Sequence, residues 1–208
     1  MPGISIPMTP FFKRIGFLEN YQILAQQHSP DNSFNLSLRH VDIIGDLHLL
    51  YLWINDPHLL CNSLLLQKDG RLIRHYRKSL ESVNRQSFLV DSPSSPVCQF
   101  DIFLINLHEL YFRMSTSTGD CILTYMLKGT AGWDVRLKSA LMLMLDYFFF
   151  FPEPQRIWVS IPIDQSALKE LFLEAGFSFK TEYTSKQIRY VIFYLRRTGY
   201  RLSQPFLH

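Results

Sequence analysis

The chain has 208 residues, of which 47% are hydrophobic, 14% aromatic and only 19% charged; this composition excludes global disorder and suffices for one sizeable core. Lys and Arg number 21 against 18 Asp and Glu, a net charge of +3, which is too mild to assign nucleic acid as a partner but favours phosphate-bearing ligands. The three cysteines, Cys61, Cys98 and Cys121, form no CxxC pair and read as reduced thiols of a cytoplasmic protein rather than a disulfide framework.

Residues 1–33 carry Pro2, Pro7 and Pro10 and end in "QQHSPDNS", an extended lead-in with no sustained apolar stretch of the kind a signal peptide needs. "FNLSLRHV" then alternates apolar and polar residues as a half-buried strand does. Asp42 follows as the expected N-cap of a helix with Ile43, Leu47, Leu50, Tyr51 and Ile54 on one face, closed by "NDP" at 55–57. A short second helix is expected over 59–67. Past the "KDG" turn, Leu72, Ile73, Tyr76, Leu80 and Val83 mark a third helix, with Arg71, Arg74, Arg77 and Lys78 on its other face. No exposed aromatics interleave with those charges, so the face reads as solvated surface and not as a nucleic-acid site.

Strands are expected at 87–90, 96–105, 109–115 and 120–127, separated by "DSPSSP", "NLH" and "TSTGD", an antiparallel meander. The loop "KGTAGWD" (128–134) leads into a helix reaching about 151. A strand at 156–161, a helix at 165–176 and two closing strands complete the chain, and Gly176 stands where a C-cap glycine belongs. Strand, helix, strand in this half places one parallel pair inside an otherwise antiparallel sheet. The apolar run Ala140 to Phe151 is interrupted by Asp146 and stopped by Pro152, short of the roughly 20 residues a membrane span needs. It reads as a buried core helix, and no membrane association is expected.

A small-residue loop between a strand and a helix turns backbone N–H groups and the positive end of the helix toward an anion. Gly129, Thr130, Ala131 and Gly132 supply the smallness, and Lys128 and Arg136 the charge. Neither GxGxxG nor GxxxxGK[ST] is present, and the alternative is a plain strand-to-helix turn with Asp134 as N-cap. The histidines are scattered without HxxxH or Cys/His spacing, so no metal site is expected, and no GxSxG occurs.

The order of elements from the 120–127 strand onward, ending in a short helix closed by "EAGF", resembles the GNAT superfamily of acyl-CoA-dependent acyltransferases. The stretches "DLHLLYLWINDPH" (46–58), "PVCQFDIF" (96–103), "DCILTYML" (120–127) and "FLEAGFSF" (172–179) resemble its siderophore-biosynthesis branch. The resemblance covers about residues 34–198. It implies an α/β (α+β) fold: one GNAT-like domain over 34–200, after the lead-in 1–33 and before a tail 201–208, with a mixed, mostly antiparallel sheet of six to seven strands flanked by helices. It further implies acetyl-CoA or another acyl-CoA as donor, without a metal, and a small-molecule amine or hydroxylamine as acceptor.

Position by position, the resemblance puts the backbone of Leu123, Tyr125, Met126 and Leu127 beside the pantetheine arm. It puts the loop Lys128, Gly129, Thr130, Ala131, Gly132, Trp133 and on to Arg136 beside the pyrophosphate, and Gln165 where the family has an asparagine heading its last helix. The catalytic positions depart from the pattern. Thr124 replaces a histidine of "DxGxH", Ser160 replaces a carboxylate with Asp164 a few residues beyond, and Phe172 replaces a tyrosine used as general acid. Trp133 and Asp134 follow Gly132 where the family prefers small residues.

The available substitutes are Asp101, His108, Asp120 and Asp164. Asp101 is expected to face a cleft or solvent, His108 to sit exposed in a turn, and Asp120 to start a strand. Trp133 and Trp53 are pocket-lining candidates, with the core reading leading for Trp53. Two functions follow: an N-acyltransferase with Asp101, Thr124 and Ser160 as catalytic candidates, or a catalytically impaired binding protein of the same fold.

Overall fold

The structure is a computed structural model that describes residues 10–16, 22–28, 34–56, 59–61, 71–112, 114–127 and 135–201. In chain order the elements are β1 (Ile23–His28), β2 (Asn35–His40), α1 (Leu47–Ile54), β3 (Leu60–Cys61), α2 (Arg71–Glu81), β4 (Arg85–Asp91), β5 (Pro96–Leu104), β6 (Asp120–Leu127), α3 (Val135–Phe150), β7 (Arg156–Pro162), α4 (Ser166–Glu174), β8 (Ser178–Ser185) and β9 (Ile188–Arg196). The sheet runs β1-β2-β4-β5-β6-β7-β9-β8, with β3 added against β6 as a ninth strand. Among the described residues, neighbours are antiparallel except β6 and β7, the one parallel pair, as the strand-helix-strand order anticipates.

Period-two alternation sorts the sheet's side chains onto two faces. Phe88, Val90, Phe100, Ile102, Leu123, Tyr125, Leu127, Val159 and Phe193 join α3 and α4 in the main core. The opposite face carries two smaller clusters: Leu89 and Met126 with Leu50 and Trp53 of α1 and Tyr76 of α2, and Phe103, Ile122, Trp158 and Ile192. Trp53 is therefore core, 5% exposed.

The sheet exceeds the expected six to seven strands for two reasons. One is β1, drawn from the lead-in segment. It hides from a hydrophobic reading because of its six residues only Ala25 is buried, yet it pairs with β2 from Ile23↔Arg39 to His28↔Asn35. The same segment seats Phe11 in the core, 2% exposed, with its ring 5.9 Å from Phe88, 5.1 Å from Phe148 and 5.4 Å from Phe151. The other is β3, which corrects the helix expected from residue 59. Leu60 pairs with Leu127 and Cys61 with Met126, so the backbone there is extended. Residues 62–67 of that expected helix lie outside the described residues.

Two further expectations are corrected. Asp42 does not cap α1: its carboxylate accepts from the N–H of Ile44 (3.1 Å) and Gly45 (2.8 Å), closing a turn ahead of the helix. The N-cap is Asp46. Its carboxylate is gripped at both oxygens by Arg39 (2.6 and 2.8 Å), whose Nε donates to Asp91 (2.6 Å). Charge-assisted bonds of this kind are roughly twice as strong as neutral ones, and they tie β2, β4 and the head of α1 together. The strand expected at 109–115 is instead a 3-10 turn over 109–112, following another at 105–107. Leu110 is buried there, but the segment is too short to pair, and its geometry is set by the Leu110 N–H donating to His108 Nδ1 (3.1 Å).

Helix α3 buries Leu137, Ala140, Leu141, Leu143, Met144, Leu145, Asp146, Phe148 and Phe149, because it is covered by the sheet on one side and by residues near both chain ends on the others. Tyr200 donates to Asp146 Oδ1 (2.8 Å) and packs on Phe149 at 5.0 Å. Among the described residues no helix is long and apolar enough to cross a membrane. Gly176 closes α4 at φ +92, a left-handed conformation that glycine adopts at little cost.

Candidate active site

The parallel pair opens into a fork. β6 and β7 stay in register from Asp120↔Arg156 to Leu123↔Val159, and there their pairing ends. β6 continues to Leu127 and β7 to Pro162. Thr124 and Ser160 are thus the first residues on the two prongs. Each follows by two a residue of the Ile122 and Trp158 cluster, so both side chains share the face that carries α1 and α2.

A polar row runs into this fork from the side. Ser87 of β4 opposes Asp101 of β5, and Asp101 opposes Thr124 of β6; directly opposed residues hold their Cβ atoms about 4.5–5.5 Å apart on one face. The three catalytic candidates Asp101, Thr124 and Ser160 therefore lie along one line of the sheet, 2%, 7% and 9% exposed. Arg136 is exposed at the start of α3. Lys128 to Asp134 of the expected pyrophosphate loop, Trp133 included, lie outside the described residues.

Asp101 corrects the expectation that it faces a cleft or solvent. α2 covers it, and its carboxylate accepts from His75 Nε2 (3.0 Å), Gln99 Nε2 (2.6 Å) and the Ser87 hydroxyl. Ser87 and Ser79 of α2 are linked at 2.8 Å. Arg85 reaches His75 Nδ1 at 3.4 Å. Burial works to raise the Asp101 pKa, but the attraction and hydrogen bond of His75, the hydrogen bond of Ser87 and the charge of Arg85 outweigh it, and the carboxyl is held below its ordinary value.

His75, Ser79 and Ser87 were missed by sequence reasoning. A signal existed: His75 and Ser79 are spaced i, i+4 beside the apolar stripe of Leu72, Tyr76 and Leu80, which puts two polar side chains on a face turned to the sheet.

Of the cofactor candidates, Leu123, Tyr125 and Leu127 turn their side chains into the α3–α4 core and Met126 into the α1–α2 cluster. Only their backbone is left to meet a ligand. Tyr125 packs 5.8 Å from Phe172 of α4, so α4 closes the fork from the main-core face. Gln165, at the head of α4, has its side-chain oxygen buried with no hydrogen-bond partner among the described residues.

Asp120 is 2% exposed and is held by Arg156 (Nε at 3.0 Å) and the Ser117 N–H (2.9 Å). His108 serves its turn, and Asp164 is exposed. Burial pushes the thiols of Cys98 and Cys121 up, so neither is a ready nucleophile.

A mostly antiparallel sheet, one forked parallel pair, and helices divided between its faces constitute the GNAT-like fold. Solved structures share it at low sequence identity. An uncharacterized protein from Bacillus halodurans superposes with a TM-score of 0.71 at 13% identity, over 86% of this chain and 93% of that one. A spermidine N-acetyltransferase chimera from Vibrio cholerae and hSSAT gives 0.63 at 12%, over 78% and 96%. An aminoglycoside acetyltransferase, AAC(6')-Ib, in complex with parmomycin and acetyl-CoA gives 0.62 at 15%, over 79% and 94%. No family model matches the sequence, and no curated protein matches it.

Proposed function

We propose that the protein is an acyl-CoA-dependent N-acyltransferase acting on a small-molecule amine or hydroxylamine at the fork between β6 and β7. The observation that carries this reading is the fork itself, with a polar row running to Thr124 and Ser160 on its prongs. The fold is shared with spermidine and aminoglycoside acetyltransferases, which supports the reaction class.

The residues at the fork suit an acyl-CoA. The backbone of β6 beyond Leu123 has parted from β7, and the unsatisfied oxygen of Gln165 stands at the head of the next helix. Leu123, Tyr125, Met126 and Leu127 would hold the pantetheine amides, and Lys128 to Arg136 the pyrophosphate. The cofactor supplies an activated thioester. The backbone N–H groups of β6 would steady its carbonyl oxygen.

Thr124 and Ser160 are the side chains that would meet the acceptor nitrogen. Asp101 accepts from three donors and sits one strand inward, so it acts as a positioning residue that orients the row. The carboxylate that opposes Thr124, Asp101, is already committed to those donors. An ammonium must first give up a proton to a base, whereas a hydroxylamine reaches the site already neutral, and that difference favours a hydroxylamine acceptor of the kind siderophore precursors carry.

Calorimetric titration with acetyl-CoA and longer acyl-CoAs tests donor binding. Thiol release with N-hydroxylysine, lysine, spermidine and an aminoglycoside then tests the acceptor. Binding with turnover on N-hydroxylysine is the expected result; no binding at millimolar acyl-CoA would sink the reading. Binding without turnover on any amine would favour the second reading, a GNAT-fold binding protein without catalysis. The specific observation behind that second reading is Phe172, buried at 1% exposure against Tyr125, where a hydroxyl-bearing ring would be needed.

A further inference from the structure

The two edges of β6 are used differently. One is paired with β5 along its whole length, from Cys98↔Leu127 to Leu104↔Cys121. The other pairs with β7 only at 120–123, and at its far end it pairs with β3 through Leu60↔Leu127 and Cys61↔Met126. β3 therefore lies inside the mouth of the fork, on the backbone edge that a ligand entering there must use.

The way the chain brings β3 to this place is local. α1 ends in two tight turns, the Asp56 N–H donating to the Trp53 carbonyl (2.9 Å) and the Leu59 N–H to the Asp56 carbonyl (3.0 Å). Trp53 is anchored in the α1–α2 cluster, with Leu59 packed beside it, while Leu60 packs on the main core. A two-residue strand held by one ladder segment and one half-buried leucine is a weak element, far shorter than the usual strand of five or six residues. It is also chemically a peptide, and a peptide presents amide N–H and C=O groups at the spacing an extended amide-bearing ligand would present.

We propose that β3 is a built-in competitor for the acyl-CoA site: Leu60 and Cys61 occupy the β6 edge at Met126 and Leu127, and the pantetheine arm must displace them to bind. The inference rests on the acyl-CoA reading and adds its regulation. Free protein is then a mixture in which the closed fork predominates, and the apparent affinity for cofactor is lowered by the fraction in which β3 is docked. Because α1 and the α1–α2 cluster carry β3, a contact that steadies α1 in a different position raises cofactor affinity without touching the fork.

The register offers a direct test. Directly opposed residues of an antiparallel pair have Cα atoms about 4.5–5.5 Å apart, within the range a disulfide spans, and the backbone register pairs Cys61 with Met126. In Met126→Cys, oxidation joins Cys61 to the new thiol and locks β3 in place. Acetyl-CoA binding by calorimetry should fall at least tenfold in the oxidised form and return to the wild-type value on reduction. Leu60→Pro with Cys61→Pro, which removes the β3 amide donors, should tighten acetyl-CoA binding about tenfold, since a competitor lowers apparent affinity by its occupancy.

Hydrogen exchange on the wild-type chain supplies a readout separate from turnover: acetyl-CoA should speed exchange at residues 60–61 while 126–127 remain protected. Equal acetyl-CoA affinity in the oxidised, reduced and proline forms would overturn the competition while leaving the acyl-CoA reading intact. Absence of acetyl-CoA binding in every form, the proline variant included, would overturn both.

Discussion

Asp101 is the residue on which the polar row depends, because its carboxylate holds His75, Gln99 and Ser87 at once. Replacing it with Asn removes a buried charge but leaves three donors facing an amide, and breaking a buried pair of this kind costs about 3 kcal/mol. Urea midpoints at pH 7 check this, and a cost below about 1 kcal/mol would mean the network does not bear on the fold. The pH dependence follows from the lowered pKa of Asp101. A carboxyl depressed on folding contributes its full stability above the unfolded value, near pH 4, and loses it as pH falls through the folded value. Acid unfolding of the wild type should therefore steepen below about pH 4, and Asp101→Asn should flatten that limb. Little of this was legible in the sequence. Asp101, Thr124 and Ser160 stand out only as polar residues in apolar strands, and the partner that decides the state of Asp101 is His75, 26 positions away on a helix. Register across β4, β5 and β6 aligns them, and register depends on long-range pairing that composition does not encode.

The elements themselves were more readable, because period and punctuation are local. α3, α4, β6 and β7 fall close to where the hydrophobic pattern and Gly176 place them. The failures were short pieces: β3 at two residues and the turn at 109–112 lie below the length at which period separates helix from strand. Gly119 shows how punctuation acts. It holds φ +84 in the turn before β6, and a Cβ there would lie 2.5 Å from the Glu153 carbonyl oxygen. Its own carbonyl accepts from Gln155 N–H (2.9 Å), which fixes where β7 starts beside β6. Gly119→Ala should cost about 2 kcal/mol, the sum of left-handed strain and that clash. Since the same turn sets the register of the fork, acetyl-CoA binding should weaken along with the melting temperature. A variant that loses no stability would show the turn relaxes freely.

At the scale of the whole molecule, the described parts of the lead-in segment, residues 10–16 and 22–28, are structural. Phe11 fills a socket between Phe88 of β4 and Phe148 and Phe151 at the end of α3, and Lys13 and Ile15 take hydrogen bonds with Gln86 (3.1 Å) and Leu80 (2.8 Å). Phe11→Ala should cost about 3 kcal/mol, as large-to-small changes at buried aromatics do. A chain starting at residue 34 should melt with a broad, weakened transition, because β1 and the aromatic socket go together. Thermal unfolding followed by near-ultraviolet circular dichroism separates these outcomes; a sharp, unshifted transition would make the segment dispensable.

The aromatic end of α3 receives both extremities of the fold, Phe11 from one side and Tyr200 from the other. During synthesis, Phe11 thus leaves the ribosome well before its landing place at Phe148 and Phe151 has been made. Vectorial folding from the N-terminus cannot complete this domain, and β2, β4 and β5 must assemble with their outer flank uncovered. A nascent chain halted before α3 should present that apolar flank to chaperones, and protection of residues 11–16 and 23–28 should appear only once α3 has emerged.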